Sequence, residues 1–310
     1  MPRIVFLDAA TMGDVSFDAI SALGTFTRYN TSDRKEALER VKDCDVLIIN
    51  KIKVDKELID AAPNLKLICE AATGVNNIDI EYAASKGIPV KNAVGYSTDS
   101  VVQTTFLVIL ALVGKVALFD AFVKSGEYSR SGLFTNVSNV FTELSGKRIG
   151  IIGMGNIGSK VAKVASAFGM EVCYFSTSGT SHCKDYPSLP LEEVLGTSDI
   201  VTIHAPLNER TKGLIGEEQL RMMKSTAFLV NMGRGGIVDE KALADAVDAG
   251  IIAGAGLDVF VQEPLPADNP LLKVTHSERL ILTPHVAWAS REARNRLVEM
   301  IASNIRDTRF

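Results

Sequence analysis

The sequence predicts an α/β protein of two domains, each a parallel sheet with helices packed on its faces. Three observations carry that prediction. Short β-branched runs alternate with helical patterns along nearly the whole chain, which is the sequence form of repeated βαβ units. The runs fall into two series, separated by a long apolar helical pattern that begins near residue 99. A chain of 310 residues with 46% hydrophobic content can also fill two ordinary cores as readily as one large one.

The first series opens with "RIVFLD" and continues through "DVLIIN", "LKLICEA" and "IPVKNA", with helical patterns over residues 33–42, 55–62 and 79–87. "MPRIVFLDAA" lacks the basic region, long apolar stretch and cleavage site of a secretory leader, so it reads as a first buried strand. "VVQTTFLVILALVG" lies between Asp99 and Lys115, short of the roughly 20 residues needed to span a bilayer, and reads as a buried helix. The second series is "KRIGIIG", "EVCYFS", "DIVTIHA", "AFLVNMG", "AGAGLDVF" and "LILTPHV". After it, the amphipathic "REARNRLVEMIASNI" can return to pack on the first domain. The expected division is therefore residues 1–98 with 286–310 in one domain and 99–285 inserted as the other, with an active-site cleft between them.

Composition narrows the function. A formal net charge of −4 with interspersed charges gives no electrostatic footprint for nucleic acid or an anionic membrane, so small molecules are the expected partners. Cys44, Cys69, Cys173 and Cys183 form no CxxC pair and read as free thiols of a cytoplasmic protein. His182, His204 and His276 have no metal-ligand spacing and are assigned to structure or surface, and no metal is expected.

"GIIGMGNIG" names a ligand class. Gly153, Gly155 and Gly158 follow a strand and open a helix: the first permits the tight turn, the second lets backbone approach a pyrophosphate, the third allows close helix packing. The N–H groups of Asn156 and Ile157 would face the phosphates. This is the dinucleotide fingerprint of a Rossmann domain, so the cofactor is NAD or NADP. The acid expected about 20 residues on, which would hold the adenosine ribose, is replaced by Ser176. Ser176, Thr177 and Ser178 could hydrogen-bond a 2′-phosphate and Lys184 could supply charge, which leans toward NADP over an NAD site that makes do with hydroxyls.

Three strand ends hold the remaining chemistry. In open α/β sheets ligands sit beyond the carboxyl ends of the strands. "VNMGRGG" places Arg234 at one such end, where a guanidinium can bind a carboxylate bidentately; the alternative is an ion pair with a surface acid. "GLDVFVQEP" places Asp258 and Glu263 after the next strand, and "LILTPHVAWAS" places His285 after the last. A histidine whose ring meets a carboxylate has its charged form stabilised and can serve as general acid to a carbonyl.

In order and spacing, "GIIGMGNIG", "HAPLNERTKGLIG", "VNMGRGGIVDEKAL", "AGAGLDVFVQEP" and "TPHVAWAS" resemble the D-isomer-specific 2-hydroxyacid dehydrogenase family, and "ATGVNNIDIEYAASKGIPVKNAVGYSTDS" is similar to its substrate-side segment. "FLDAATMGD" and "HVAWAS" point within it to the glycerate dehydrogenases, or hydroxypyruvate reductases. The resemblance implies a flavodoxin-like substrate domain, a Rossmann NAD(P) domain and a homodimer formed through the long helix. It implies that Arg234 orients the 2-oxoacid carboxylate, that His285 donates the proton and that Glu263 supports the imidazole. It places Thr73 and Gly74 at the carboxylate's other oxygen, Asp258 by the nicotinamide carboxamide, Ala205, Pro206, Met232 and Gly233 along the cofactor, and Thr104 near its nicotinamide end. Trp288, the only tryptophan, reads equally as a substrate contact or as a core aromatic. Gln103 and Thr104 depart from the acidic or histidine pair that many members carry. Two other readings are a non-catalytic NAD(H)-sensing protein of the same fold and a dehydrogenase of formate or phosphite. The intact Arg234, Glu263 and His285 set argues against the sensor.

Overall fold

The computed structural model describes every residue except His182, Arg309 and Phe310, so the reading of His182 lies outside the described residues. All strand ladders among them are parallel, as strands joined by helical crossovers require.

The first unit runs through β1 (Arg3–Phe6), α1 (Asp18–Ser21), β2 (Thr25–Arg28), α2 (Arg34–Arg40), β3 (Val46–Ile49), α3 (Lys56–Asp60), β4 (Leu67–Glu70), α4 (Ile80–Ser85) and β5 (Val90–Lys91). The sheet order is β2-β1-β3-β4-β5. β3 and β4 are buried along their whole length, because helices cover both faces of the sheet. Asp33, Asp55 and Asp79 start α2, α3 and α4 by accepting the free N–H groups of Glu36, Leu58 and Tyr82. β2 has no counterpart in the sequence reading: "TFTR" is a largely exposed edge strand with no apolar run, and pairing with β1 defines it.

The second unit begins with α5 (Thr98–Val113), α6 (Val116–Lys124) and α7 (Glu127–Ser131). It continues through β6 (Arg148–Ile152), α8 (Asn156–Ala167), β7 (Glu171–Phe175), α9 (Leu191–Thr197), β8 (Ile200–Ile203), α10 (Glu217–Met222), β9 (Phe228–Asn231), α11 (Glu240–Asp248), β10 (Gly254–Leu257) and β11 (Leu280–Leu282). The six strands are those expected, in the order β11-β10-β9-β8-β6-β7. α12 (Arg291–Arg306) then belongs to the first unit, where Ala293, Leu297, Val298, Ile301 and Ile305 complete the core around Ile4, Phe6, Val46, Ile48 and Leu67.

The two units meet in sequence at residues 97/98 and 287/288, against expected crossings at 98/99 and 285/286. Val286 and Ala287 stay with the second unit for a physical reason: their N–H groups donate to the Asp258 carboxylate at 2.9 and 2.8 Å, and Ser100 Oγ donates to Ala287 O at 2.6 Å. α5 also departs from the reading of a buried helix. It packs on β9 and β10, but Leu107 and Leu110 on its other side are 64% and 43% exposed. Composition alone hid this, since both faces of the helix are apolar. Among the described residues no single helix is long and apolar enough to cross a membrane; α5 and α6 would pass only together, and they are bent by 59°.

The contact of α5 with the sheet depends on Gly256, where a Cβ would lie 2.2 Å from Val108 Cγ1. Gly256→Ala is expected to cost about 1–3 kcal/mol by overpacking, and thus to lower Tm by roughly 2–10 °C, measured by calorimetry.

Candidate active site

The order of the second sheet reverses between β6 and β8, which makes the edge beyond these strands a topological switch point. The glycine motif lies there, and its three glycines have separate causes. Gly153 has φ +95°, and a Cβ on it would come within 3.0 Å of Ala205 N. A Cβ on Gly158 would lie 2.1 Å from Gly153 O. Both are demanded by the fold itself. A Cβ on Gly155 would meet no atom within 4 Å, so nothing in the protein's own packing accounts for that glycine. α8 starts at the next residue, with no side chain capping it. The N–H groups of its first turn, Asn156 and Ile157 among them, therefore face outward beside a bare backbone, with the positive end of a 12-residue helix dipole behind them.

Beyond β7, Ser176 Oγ donates to Thr180 O at 2.7 Å and lies 3.2 Å from Ser178 Oγ. The structure adds a residue that the sequence reading missed. Arg210, from the segment after β8, crosses to this loop and donates from Nη1 to Ser178 O at 2.7 Å. Gly179, at φ +78°, leaves the space: a Cβ there would stand 2.9 Å from that nitrogen. Nothing local in the sequence links Arg210 to Ser178, since the contact exists only once β6, β7 and β8 are side by side. Lys184 is exposed.

β9, β10 and β11 are adjacent and in register, with Asn231 opposite Leu257 and Leu257 opposite Leu282. The residues that follow these three positions accordingly emerge at one sheet edge. After β9, the buried Asn231 side chain takes Gly233 N at 3.0 Å and gives to Arg234 O at 3.0 Å, which fixes the turn that carries Arg234. The neighbouring glycines serve this turn. A Cβ on Gly233 would lie 2.8 Å from Ala205 O, and one on Gly235 would lie 1.8 Å from Phe260 O. Close backbone packing thus accounts for these two. Arg234 is half-buried and its Nη1 donates to Gly233 O at 2.9 Å. Among the described residues it forms no ion pair, whereas Arg3, Arg34, Arg40, Arg148, Arg221 and Arg294 all do. The surface-pair alternative is therefore removed.

After β10, the Asp258 side chain is buried and accepts three donors: Thr283 Oγ1 at 2.6 Å, Val286 N at 2.9 Å and Ala287 N at 2.8 Å. Burial pushes its pKa up, and these bonds pull against that. Its backbone carbonyl takes His285 N at 2.8 Å. Asp258 thus organises the whole turn after β11. That turn holds His285 at φ 54°, a left-handed conformation costing on the order of 1 kcal/mol for a residue with a Cβ. His285 Nδ1 meets Glu263 Oε2 at 2.7 Å, and Glu263 Oε1 accepts Phe260 N at 3.0 Å. Since a carboxylate only accepts, Nδ1 carries the proton toward Glu263, and Nε2 is the nitrogen left for a ligand.

The other predicted residues are placed as follows. Ala205 and Met232 are buried at the ends of β8 and β9, and Pro206 O accepts Thr211 Oγ1 at 2.6 Å. Thr104, on α5, donates to Ser100 O at 3.0 Å. His204 lies 3.0 Å from Thr202 Oγ1, and burial pushes its pKa down to about 3, so it is neutral and no proton carrier. In the first unit, Thr73 and Gly74 follow β4; Thr73 Oγ1 donates to Ala93 O at 2.7 Å and Asn92 Nδ2 to Thr73 O at 2.6 Å. Trp288 is partly buried against the first unit's core, edge-on to Tyr96 with ring centroids 6.2 Å apart.

Comparison with known proteins identifies the family. Residues 106–287 match the family described as D-isomer specific 2-hydroxyacid dehydrogenase, NAD binding domain. The chain is 42% identical over 276 residues to a glyoxylate reductase of Korarchaeum cryptofilum, covering 88% of this chain and 82% of that protein. It is 33% identical over 312 residues to a hydroxypyruvate reductase of Blautia hydrogenotrophica, covering 98% and 96%. Among solved structures it is similar to an NADPH-dependent glyoxylate/hydroxypyruvate reductase from Sinorhizobium meliloti in complex with citrate, with a TM-score of 0.84, 26% identity, and 99% and 94% of the two chains covered.

The open position at Gly155 and the closed one at Gly158 separate binding from stability. Gly155→Ala is expected to leave Tm within about 1 °C while weakening dinucleotide binding about tenfold or more. Gly158→Ala is expected to lower Tm by several degrees. Differential scanning fluorimetry and fluorescence titration with NADH and NADPH read both.

Proposed function

Since the chain belongs to the D-isomer-specific 2-hydroxyacid dehydrogenase family, NAD(P)-dependent enzymes acting on the CH–OH group, we propose that it reduces a small 2-oxoacid, glyoxylate or hydroxypyruvate, to the D-2-hydroxyacid. One observation carries the reading: a half-buried Arg234, without an acid partner among the described residues, shares a sheet edge with a His285–Glu263 pair. The first supplies charge for a carboxylate, the second a proton.

The nicotinamide cofactor, when bound, supplies the hydride. The chain's own residues supply the rest. The Arg234 guanidinium binds the substrate carboxylate and draws electron density from the adjacent carbonyl. His285 Nε2 donates its proton to the carbonyl oxygen as the carbon is reduced, and the Glu263 carboxylate offsets the imidazolium charge and fixes the ring. Thr73 and Gly74 take the carboxylate's other oxygen. Gly155, Asn156 and Ile157 hold the pyrophosphate, Gly153 and Gly158 shape the turn and helix that present them, and Thr104, Ala205, Pro206, Met232, Gly233 and Asp258 lie along the cofactor. Trp288 has no required part in this scheme.

The adenosine end favours NADP. Support comes from the missing acid after β7, the hydroxyls of Ser176 and Ser178, and Arg210 drawn onto the same loop. A 2′-phosphate would meet the Arg210 guanidinium there. The same reading includes a homodimer through α5 and the segment that follows, supported by the exposed Leu107, Val116, Val123, Leu133, Phe134 and Val137.

Steady-state oxidation of NADPH and NADH over glyoxylate, hydroxypyruvate, pyruvate and phenylpyruvate tests the proposal, and tight dinucleotide binding without turnover would overturn it. His285→Ala is expected to lower kcat by about 10²–10⁴-fold with little change in cofactor affinity, and Arg234→Lys to act mainly on substrate KM. Arg210→Ala is expected to raise KM for NADPH about tenfold and to leave that for NADH within twofold.

A further inference from the structure

The first unit contains a buried polar cluster that the scheme above does not use. Glu70 ends β4 and is 0% exposed. Its Oε2 accepts Asn77 Nδ2 at 3.0 Å, and its Oε1 has no hydrogen-bond partner among the described residues. Asn77 Nδ2 also reaches Ile52 O at 3.1 Å and Asn50 O at 3.4 Å, while Asn77 O accepts Val54 N at 2.8 Å. Asp8, at the end of β1, is the second buried carboxyl. It accepts the backbone N–H groups of Asn50, Lys51 and Ile52, with the shortest contact, 2.6 Å, from Lys51.

These contacts define what Glu70 does. The segment from Thr73 to Asn77 is fastened at its start, where Thr73 bonds Ala93 and Asn92, and at its end, where the Asn77 carboxamide spans the loop after β3 and the Glu70 carboxyl. We propose that Glu70 is a positioning residue for the Thr73–Asn77 segment, and that it acts in its neutral, protonated form through Asn77. The inference rests on the reading that Thr73 and Gly74 receive the substrate carboxylate.

The protonated form follows from the surroundings. Burial pushes the Asp8 pKa up as well, but its backbone donors Lys51, Asn50 and Ile52 oppose that rise. Glu70 has one amide donor, a buried oxygen without a partner, and Asp8 as a like-charged neighbour. Burial pushes its pKa up to about 9, Asp8 adds to the rise, and the Asn77 bond and the Lys51 charge oppose it. The charges that act on Glu70 are those of Asp8 and Lys51, while on the neighbouring helices Arg34 pairs with Asp55 and Glu57, Arg40 with Glu36, and Lys86 with Asp60.

The sign of the pH dependence is set by these values. In the unfolded chain Glu70 ionises near its ordinary 4.5, and in the folded protein near 9. Stability attributable to this group is therefore full below 4.5, falls as pH rises between the two values, and changes no further above 9. A glutamine in its place cannot ionise.

The experiment compares the purified full-length wild type with Glu70→Gln and Asn77→Ala. Three readouts are taken: Tm from pH 5 to pH 10, hydrogen exchange of the 72–77 amides, and kcat and KM for glyoxylate and hydroxypyruvate. If Glu70 acts as a neutral anchor, the Tm of Glu70→Gln gains on wild type by about 2–4 °C per pH unit up to about pH 9, then levels. Its exchange and KM at pH 7 stay within about twofold of wild type, and it loses the part of the alkaline KM rise that depends on Glu70. Asn77→Ala speeds exchange across 72–77 and raises KM about tenfold, with kcat within twofold. Parallel Tm curves for wild type and Glu70→Gln, or a Glu70→Gln that matches Asn77→Ala in exchange, would overturn the proposal. Faster exchange in Asn77→Ala with unchanged KM for every 2-oxoacid would uphold the anchor and overturn instead the placement of substrate at Thr73 and Gly74.

Discussion

The Asp258 carboxylate is the constraint on which the candidate site rests. It is buried at the end of β10 and holds three donors of the turn after β11, while its own carbonyl holds His285 N. A left-handed histidine is a conformation that a free chain avoids, and it persists where the surroundings over-determine it. Here one residue supplies most of that determination, so the orientation of the imidazole toward Glu263 is a property of the sheet edge rather than of the loop. The same bonds keep Val286 and Ala287 with the second unit.

Close backbone packing does for Arg234 what hydrogen bonding does for His285. Gly233 lets the turn after β9 lie against Ala205 O, and Gly235 lets it lie against Phe260 O, whose residue in turn donates its N–H to Glu263. Arginine, glutamate and histidine are thus linked through three consecutive strand ends, each resting on the next. Catalysis by hydride transfer needs this kind of fixity, because the cofactor brings the chemistry and the protein contributes orientation and charge. The cost is carried locally: a strained histidine and two glycines whose replacement would drive atoms together.

Much of this was legible in the sequence. Strands buried on both faces must be continuous apolar runs, so β3, β4, β6, β8 and β9 announce themselves, and "GIIGMGNIG" specifies the crossover after β6. β2 was hidden because an edge strand need not be apolar. That α5 carries more apolar surface than one core needs was legible, but which of its residues stay exposed was not, because residues that cover a core and residues left at a surface are here equally apolar. The pairing of His285 with Glu263 could be guessed from type and order, since both follow neighbouring strands. The threefold grip of Asp258 could not, because it depends on where Val286 and Ala287 turn.

By itself, then, the sequence determined the two parallel-sheet units, the dinucleotide motif and the family to which Arg234, Glu263 and His285 belong. These follow from periodicity and local spacing, which survive without knowledge of neighbours. Tertiary structure alone decided that Arg210 lies on the Ser178 loop, that Gly155 is the glycine the fold does not need, and that Glu70 and Asp8 share one buried cluster. Each of these joins residues from different strands, or asks what space surrounds a residue. Such facts come into being only when the sheet closes, because hydrogen bonding and exclusion act between atoms within a few ångströms and take no account of distance along the chain.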